Sequence, residues 1–304
     1  MDIDLGIALA GLIVGFVVGL TGMGGGALMT PILVIGFGIN PLAAVSSDLV
    51  AAVVMKPIGG GIHFRRGNVH TGLVRWLMLG SVPGALLGSY AVAHLGDDVG
   101  DNIKVILGVV LLIAALAMIA RSYISRKRVG VLEGEAALRV PVQRAATLTI
   151  GLLGGIVVGM TSVGSGSLMI VAMMLLYPML SSKELVGTDL VQAIPLVTAA
   201  AIGHLLWGDF ELDLTTSLLI GSIPGVIIGA HVSSRAPDAI IRPVLALVLV
   251  LSSLKLLDVP NGVLALILVL TLIGVAVAWF VRRRRVRALH ERPVVSVSRD
   301  SVRG

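Results

Sequence analysis

Ser47, Asp48 and Lys56 stand inside one largely apolar stretch, and Thr188, Asp189 and Gln192 inside another. Asp48 lies eight residues past Asn40-Pro41, and Asp189 lies eight past the start of a Ser181-x-x-Glu184 capping box. Each is therefore about 12 Å down a regular helix, too deep for a capping role. An ionisable group inside a span marks a proton relay or a buried anchor. Two roles stay open for Asp48 and Asp189: proton carrier, or hydrogen-bonded tie between helices. Lys56 follows Asp48 by eight residues on roughly the same helix face, and its counterpart is Val197. It could pair with Asp48, attract an anion, or snorkel to a surface.

A second set carries backbone chemistry. Thr21, Gly22, Gly24, Gly25 and Gly26 interrupt one apolar run, and Thr161, Ser162, Gly164, Ser165 and Gly166 interrupt another. Glycine and small hydroxyl residues hold a regular helix poorly and leave backbone N–H groups open. At membrane depth, two such breaks aimed at each other form a small anion site from half-helix N-termini, without any arginine. Thr21, Thr161, Ser162 and Ser165 could add hydroxyl donors. A tight turn in a helical hairpin is the plainer alternative. No lysine follows either cluster as a nucleotide-binding loop requires, so nucleotide binding is not expected there.

The elements that position these residues are membrane spans. The 304-residue chain is 56% hydrophobic and 13% charged, with a mean hydropathy of +1.02, whereas soluble domains are about a quarter charged. The net charge of +6 does not point to nucleic acid: six of the 23 Lys and Arg lie between Arg121 and Arg144, and eight lie from Arg282 onward. The acidic start Met1-Asp2-Ile3-Asp4 suits a retained first segment better than a cleaved leader. With no cysteine, thiol chemistry and cysteine-bound metal are ruled out; neither a metal nor a cofactor is implied.

The expected spans are residues 5–20, a short run at 26–38, a helix from Pro41 to about Ile62, then 72–92 and 102–121. Gly11, Gly15 and Gly19, and likewise Gly80, Gly84 and Gly88, recur every fourth residue as close-packing faces. The order then repeats at an offset of about 140. From Gly15 to Met29 against Gly155 to Met169, nine of fifteen positions are identical. Ser47-Asp48-Leu49-Val50 returns as Thr188-Asp189-Leu190-Val191, and Gly80-Ser81-Val82-Pro83-Gly84 as Gly221-Ser222-Ile223-Pro224-Gly225.

The expected organisation is a first repeat at 1–121, a basic linker at 122–144, a second repeat at 145–257, an extra span at 258–281 and a basic tail at 282–304. Short cytoplasmic loops collect Lys and Arg, which puts the linker, the tail, Arg65 and Arg66 inside, and the N-terminus and Asp209, Glu211 and Asp213 outside. Equivalent loops then carry opposite charge, as in halves related by an axis in the membrane plane with an odd number of crossings each, three or five. The fold class is an all-α polytopic membrane protein of two inverted-topology repeats, each opening with a Gly-rich broken-helix hairpin, plus one extra C-terminal transmembrane helix.

Two halves opening with such hairpins, followed by a Ser-Asp or Thr-Asp step, resemble the sulfite exporter TauE/SafE family of bacterial inner-membrane proteins. The likeness spans about residues 5–257 and is most specific at Gly22-Met23-Gly24-Gly25-Gly26-Ala27-Leu28-Met29-Thr30-Pro31. It implies a secondary transporter that exports a small anion such as sulfite, a sulfonate or a related sulfur-containing or organic acid. The partners are then the anion and membrane lipid, and export could run either as uniport or with protons as coupling ion on Asp48 or Asp189. The second copy departs from the pattern, with Ser162, Ser165 and Ser167 in place of Gly22, Gly25 and Ala27. Two other functions are compatible with parts of the chain: an intramembrane serine hydrolase using Ser165 and His204, which lacks an acidic partner for the histidine, and a membrane anchor or sensor that uses the arginine tail on anionic lipid.

Overall fold

A computed structural model describes residues 3–21, 25–94, 99–127, 130–132, 134–232 and 238–271. The regular elements of the described residues are all helices, with two isolated bridges (Leu132 with Leu180, Gly164 with Gly166) and no strand. The compact unit that ends at Val259 contains α1 (Leu5–Thr21), α2 (Gly26–Pro31), α3 (Pro41–Arg65), α4 (Thr71–Ala93), α5 (Val99–Lys127), α6 (Glu135–Leu138), α7 (Arg144–Thr161), α8 (Leu168–Leu176), α9 (Ser182–Trp207), α10 (Leu212–Val232) and α11 (Asp238–Leu256). α2 continues as a π-helical turn, Ile32–Gly36. Six of these helices are long and apolar enough to cross a membrane, and they carry outward leucines such as Leu79 (60% exposed) and Leu206 (66%). This is a multi-pass, all-α membrane protein.

Local sequence explains where the helices start. Asp4 Oδ1 accepts the N–H groups of Gly6 (2.7 Å) and Ile7 (3.1 Å) ahead of α1, and Asn40 Oδ1 accepts from Leu42 (2.8 Å) ahead of Pro41. His70 Nδ1 accepts from Leu73 at the head of α4 (3.1 Å). Ser181 Oγ accepts from Lys183 (3.2 Å) and donates to the Glu184 carboxylate, so Ser181 caps α9 while Glu184 holds the cap hydroxyl in place of the reciprocal backbone bond of a capping box. Each acceptor satisfies an N–H that the first helical turn leaves open.

The halves interleave instead of folding side by side. α1 of the first half packs along α10 of the second, and α7 of the second along α4 of the first. α3 meets α9, α5 meets α11, and α2 against α11 mirrors α8 against α5. Every one of these pairings maps onto itself or onto another when the halves are exchanged. The glycine ladders close the two long seams. A Cβ on Gly15 would strike the Ser222 backbone, and one on Gly225 would strike the Leu12 carbonyl; Gly155 and Gly84 stand in the same relation to Ser81 and Leu152. Only glycine lets the backbones approach this closely.

Three features go beyond the sequence reading. α3 runs to Arg65. α5 carries on past the expected end at residue 121 to Lys127, so Arg121 stands inside the span and not at its end. The linker is partly folded: the Leu132 N–H bonds the Met179 carbonyl (2.7 Å), and Glu184 Oε1 accepts the Gly134 N–H (3.3 Å). The second unit starts at Pro260 and contains α12 (Asn261–Thr271); the rest of the expected extra span, 272–281, and the basic tail, 282–304, lie outside the described residues.

Candidate functional site at the second glycine break

α7 ends at Thr161, and the chain then turns through Ser162 (φ +58°), Gly164 (φ +129°) and Gly166 (φ +90°) before α8 begins. The two glycines are needed because these dihedrals exclude most L side chains. The N–H groups of Ser167, Leu168 and Met169 all converge on the Gly164 carbonyl, whereas no backbone carbonyl among the described residues accepts from Gly164 or Ser165. The break therefore presents open donors at the positive end of a half-helix.

Polar side chains from three other helices close on this turn. Lys56 of α3, buried, donates from Nζ to Ser165 Oγ at 2.5 Å. The snorkelling alternative is thereby replaced: Lys56 points into the protein. Ser162 Oγ donates to Asp48 Oδ2 at 2.5 Å, while Asp48 Oδ1 has no hydrogen-bond partner among the described residues. Asp189 of α9 accepts from Gln192 Nε2 at 3.0 Å on Oδ1 and leaves Oδ2 without a full hydrogen bond; the Gly166 N–H makes a weaker contact with the same carboxyl. Gln192 also reaches Met169 Sδ (3.1 Å), and its Oε1 accepts from Ser81 Oγ of α4 (3.2 Å). Lys56 sits close enough to both aspartates to act on them electrostatically.

The two breaks touch. A Cβ on Gly26 would collide with the Ser162 carbonyl and hydroxyl, and one on Gly25 would lie 3.5 Å from Asp48 Oδ1. Asp48 thus sits where both breaks meet. Gly22 and Gly24 lie outside the described residues. Gly25 and Gly26 open α2, with the Gly25 carbonyl accepting from Leu28 (2.9 Å) and Met29 (2.8 Å).

Other expected site residues turn elsewhere. Thr21 Oγ1 donates to the Val17 carbonyl of its own helix (2.8 Å), whereas Thr161 Oγ1, besides reaching the Val157 carbonyl (2.7 Å), accepts the Val163 N–H (3.1 Å) and lies 3.2 Å from the Val163 carbonyl, so it braces the break from within. Thr188 Oγ1 accepts the His70 N–H (3.0 Å), and Ser47 Oγ is buried without a partner among the described residues. Ser165 and His204 do not pair: the histidine ring bonds Ser46 Oγ (2.8 Å) and the Gly159 carbonyl (2.7 Å), while Ser165 bonds Lys56. Beside the first break, a largely apolar pocket is lined by Val17, Thr21, Leu28, Met118 and Leu249, and the Thr21 hydroxyl donates to the Val17 carbonyl.

Arg121 was missed from the sequence. Buried on α5, its Nη1 reaches the Gly166 carbonyl (3.4 Å), and its charge acts on Asp189. The available signal was the apolar pattern running past it through Tyr123 and Ile124; the basic residues just beyond concealed that signal.

The family model for the sulfite exporter TauE/SafE matches residues 7–256. Three curated relatives come from Bacillus subtilis (strain 168). The probable membrane transporter protein YjnA is 40% identical over 84% of this chain and 100% of its own length. The probable membrane transporter proteins YdhB and YunE are 25% and 24% identical, each over 83% of this chain and over 99% and 96% of their own lengths. No solved structure matches.

Proposed function

The chain belongs to the sulfite exporter TauE/SafE family, which makes it a membrane transporter and not an enzyme, and we propose that it exports a small anion across the bacterial inner membrane. The substrate class is sulfite, a sulfonate or a related sulfur-containing or organic acid. The observation that carries this reading is the second glycine break, where open Gly164 and Ser165 N–H groups, the α8 N-terminus and the buried Lys56 ammonium converge at one place in the core. An oxyanion there takes several short donors and one full positive charge, the combination that recognises a small tetrahedral or pyramidal acid.

Asp48 and Asp189 serve either as proton carriers or as anchors of the break. An inside-negative potential favours exit of an uncompensated anion by about 2.3 kcal/mol per charge per 100 mV, which would drive uniport; export with a proton on Asp48 or Asp189 is the alternative. The reciprocal helix pairing suits two halves inverted across the membrane plane that rock about a central site, with the N-terminus periplasmic and the C-terminus cytoplasmic. The test is flux from proteoliposomes loaded in turn with sulfite, sulfoacetate, thiosulfate and sulfate. At least one of these should leave faster than from protein-free vesicles, and Lys56→Met should lower that flux at least tenfold. If none of the four moves, the reading fails.

A further inference from the structure

Four charged side chains meet at the second break, two of each sign. Lys56 comes from α3 and Arg121 from α5, against Asp48 from α3 and Asp189 from α9; all four are buried, with relative exposures of 6%, 5%, 0% and 0%. The groups facing Asp189 are Lys56, Arg121, the Gly166 N–H and Gln192 of its own helix, and α4 contributes only neutral Ser81 through that glutamine. Those facing Asp48 are the Ser162 hydroxyl and Lys56, with Gly25 on the remaining side. With both lysine and arginine charged and both aspartates ionised, the cluster is neutral.

A neutral, buried cluster resists a lone extra charge, because burying an uncompensated ion costs far more than burying a matched pair. A singly charged anion brings the cluster to −1, and one proton restores balance. Asp48 Oδ1 and Asp189 Oδ2 both lack a hydrogen-bond partner among the described residues, so each offers a place to hold that proton. We propose that Arg121 belongs to the transport site and that, with Lys56, it balances Asp48 and Asp189 so that a monoanion crosses together with one proton, electroneutrally.

The inference rests on the anion-transport reading and deepens it: proton and anion load together instead of displacing each other. The membrane potential then does not drive the cycle, and export runs down the anion's own gradient. Arg121 acts as a charge-setting residue, holding Gly166 from its carbonyl side while Asp189 faces its N–H side.

Charge counting gives each variant a sign. Asp189→Asn leaves the empty site at +1, so a monoanion crosses without a proton and one negative charge moves per cycle. Arg121→Gln leaves it at −1, so two protons accompany the anion and one positive charge moves. Arg121→Lys restores the balance.

The experiment measures sulfite flux in proteoliposomes of the full chain, on the acid side where singly charged bisulfite predominates, together with proton uptake and current at a clamped potential. The expected result is no net current with one proton per anion for the wild type, currents of opposite sign for Asp189→Asn and Arg121→Gln, and no current for Arg121→Lys. Arg121→Lys also separates charge from folding, since it keeps the cation if the glutamine variant does not fold. Wild-type sulfite flux that carries net negative current without proton movement overturns this inference and leaves the anion-transport reading standing. Absence of flux for every anion of the panel overturns both.

Discussion

At the scale of single residues, the second break holds together through very few contacts, and each has a measurable weight. Ser162→Ala removes the hydroxyl donated to Asp48 and leaves a fully buried carboxylate without either partner, a loss of about 1–3 kcal/mol. The melting midpoint in detergent should fall accordingly, and Asp48→Asn placed on top of Ser162→Ala should cost less than it does alone, since the pair forms one interaction. Full additivity of the two substitutions would mean that the contact contributes nothing. The depth of Asp48, Lys56 and Asp189 in apolar stretches marked them in the sequence, but their partners were not legible. Lys56 bonds a serine 109 positions away and Asp48 bonds one 114 away, and no local pattern encodes such a pairing. Arg121 was hidden for a different reason: it stands where an apolar span meets a basic link, and only the continuation of α5 to Lys127 shows on which side of that boundary it belongs.

At the scale of helices, the glycine ladders decide how closely the two halves approach. Gly155→Val would drive a side chain into the Ser81 backbone, whose Cα lies 2.8 Å from the added Cβ. Backbone cannot yield as a side-chain end can, so a penalty of about 1–3 kcal/mol or more is expected. Gly61→Ala, on α3 with nothing within 4 Å of the new methyl, should be neutral or stabilising by up to about 1 kcal/mol. Thermal unfolding of both variants checks the contrast, and equal midpoints would refute the seam argument. Here the sequence was informative: a four-residue glycine period specifies a close-packing face, and the caps at Asn40 and Ser181 placed the starts of α3 and α9. It could not say which ladder meets which. The order α1 on α10 and α7 on α4 follows from the three-dimensional exchange of the halves, not from either ladder by itself.

At the scale of the whole molecule, the duplicated sequence and the reciprocal pairing support two inverted halves around a central anion site. Because the chain has no cysteine, Arg66→Cys and Asp209→Cys, at exposed loop positions of the two halves, can be labelled from one side at a time. They should react from opposite sides of the membrane; labelling from the same side would refute the inversion. The central claim, that the anion sits at the second break, is tested most directly by its effect on stability. Titrating sulfite, sulfoacetate or thiosulfate against thermal unfolding in detergent should raise the wild-type midpoint for the transported anion, approaching about 2.7 kcal/mol of stabilisation at a hundredfold excess over the dissociation constant. Ser165→Asp places a carboxylate beside Lys56 at the α8 N-terminus, where a negative charge is favourable, so the protein should stay folded with its site filled from within. The account predicts that this variant gains no stability from the anion; a midpoint shift equal to that of the wild type would contradict it.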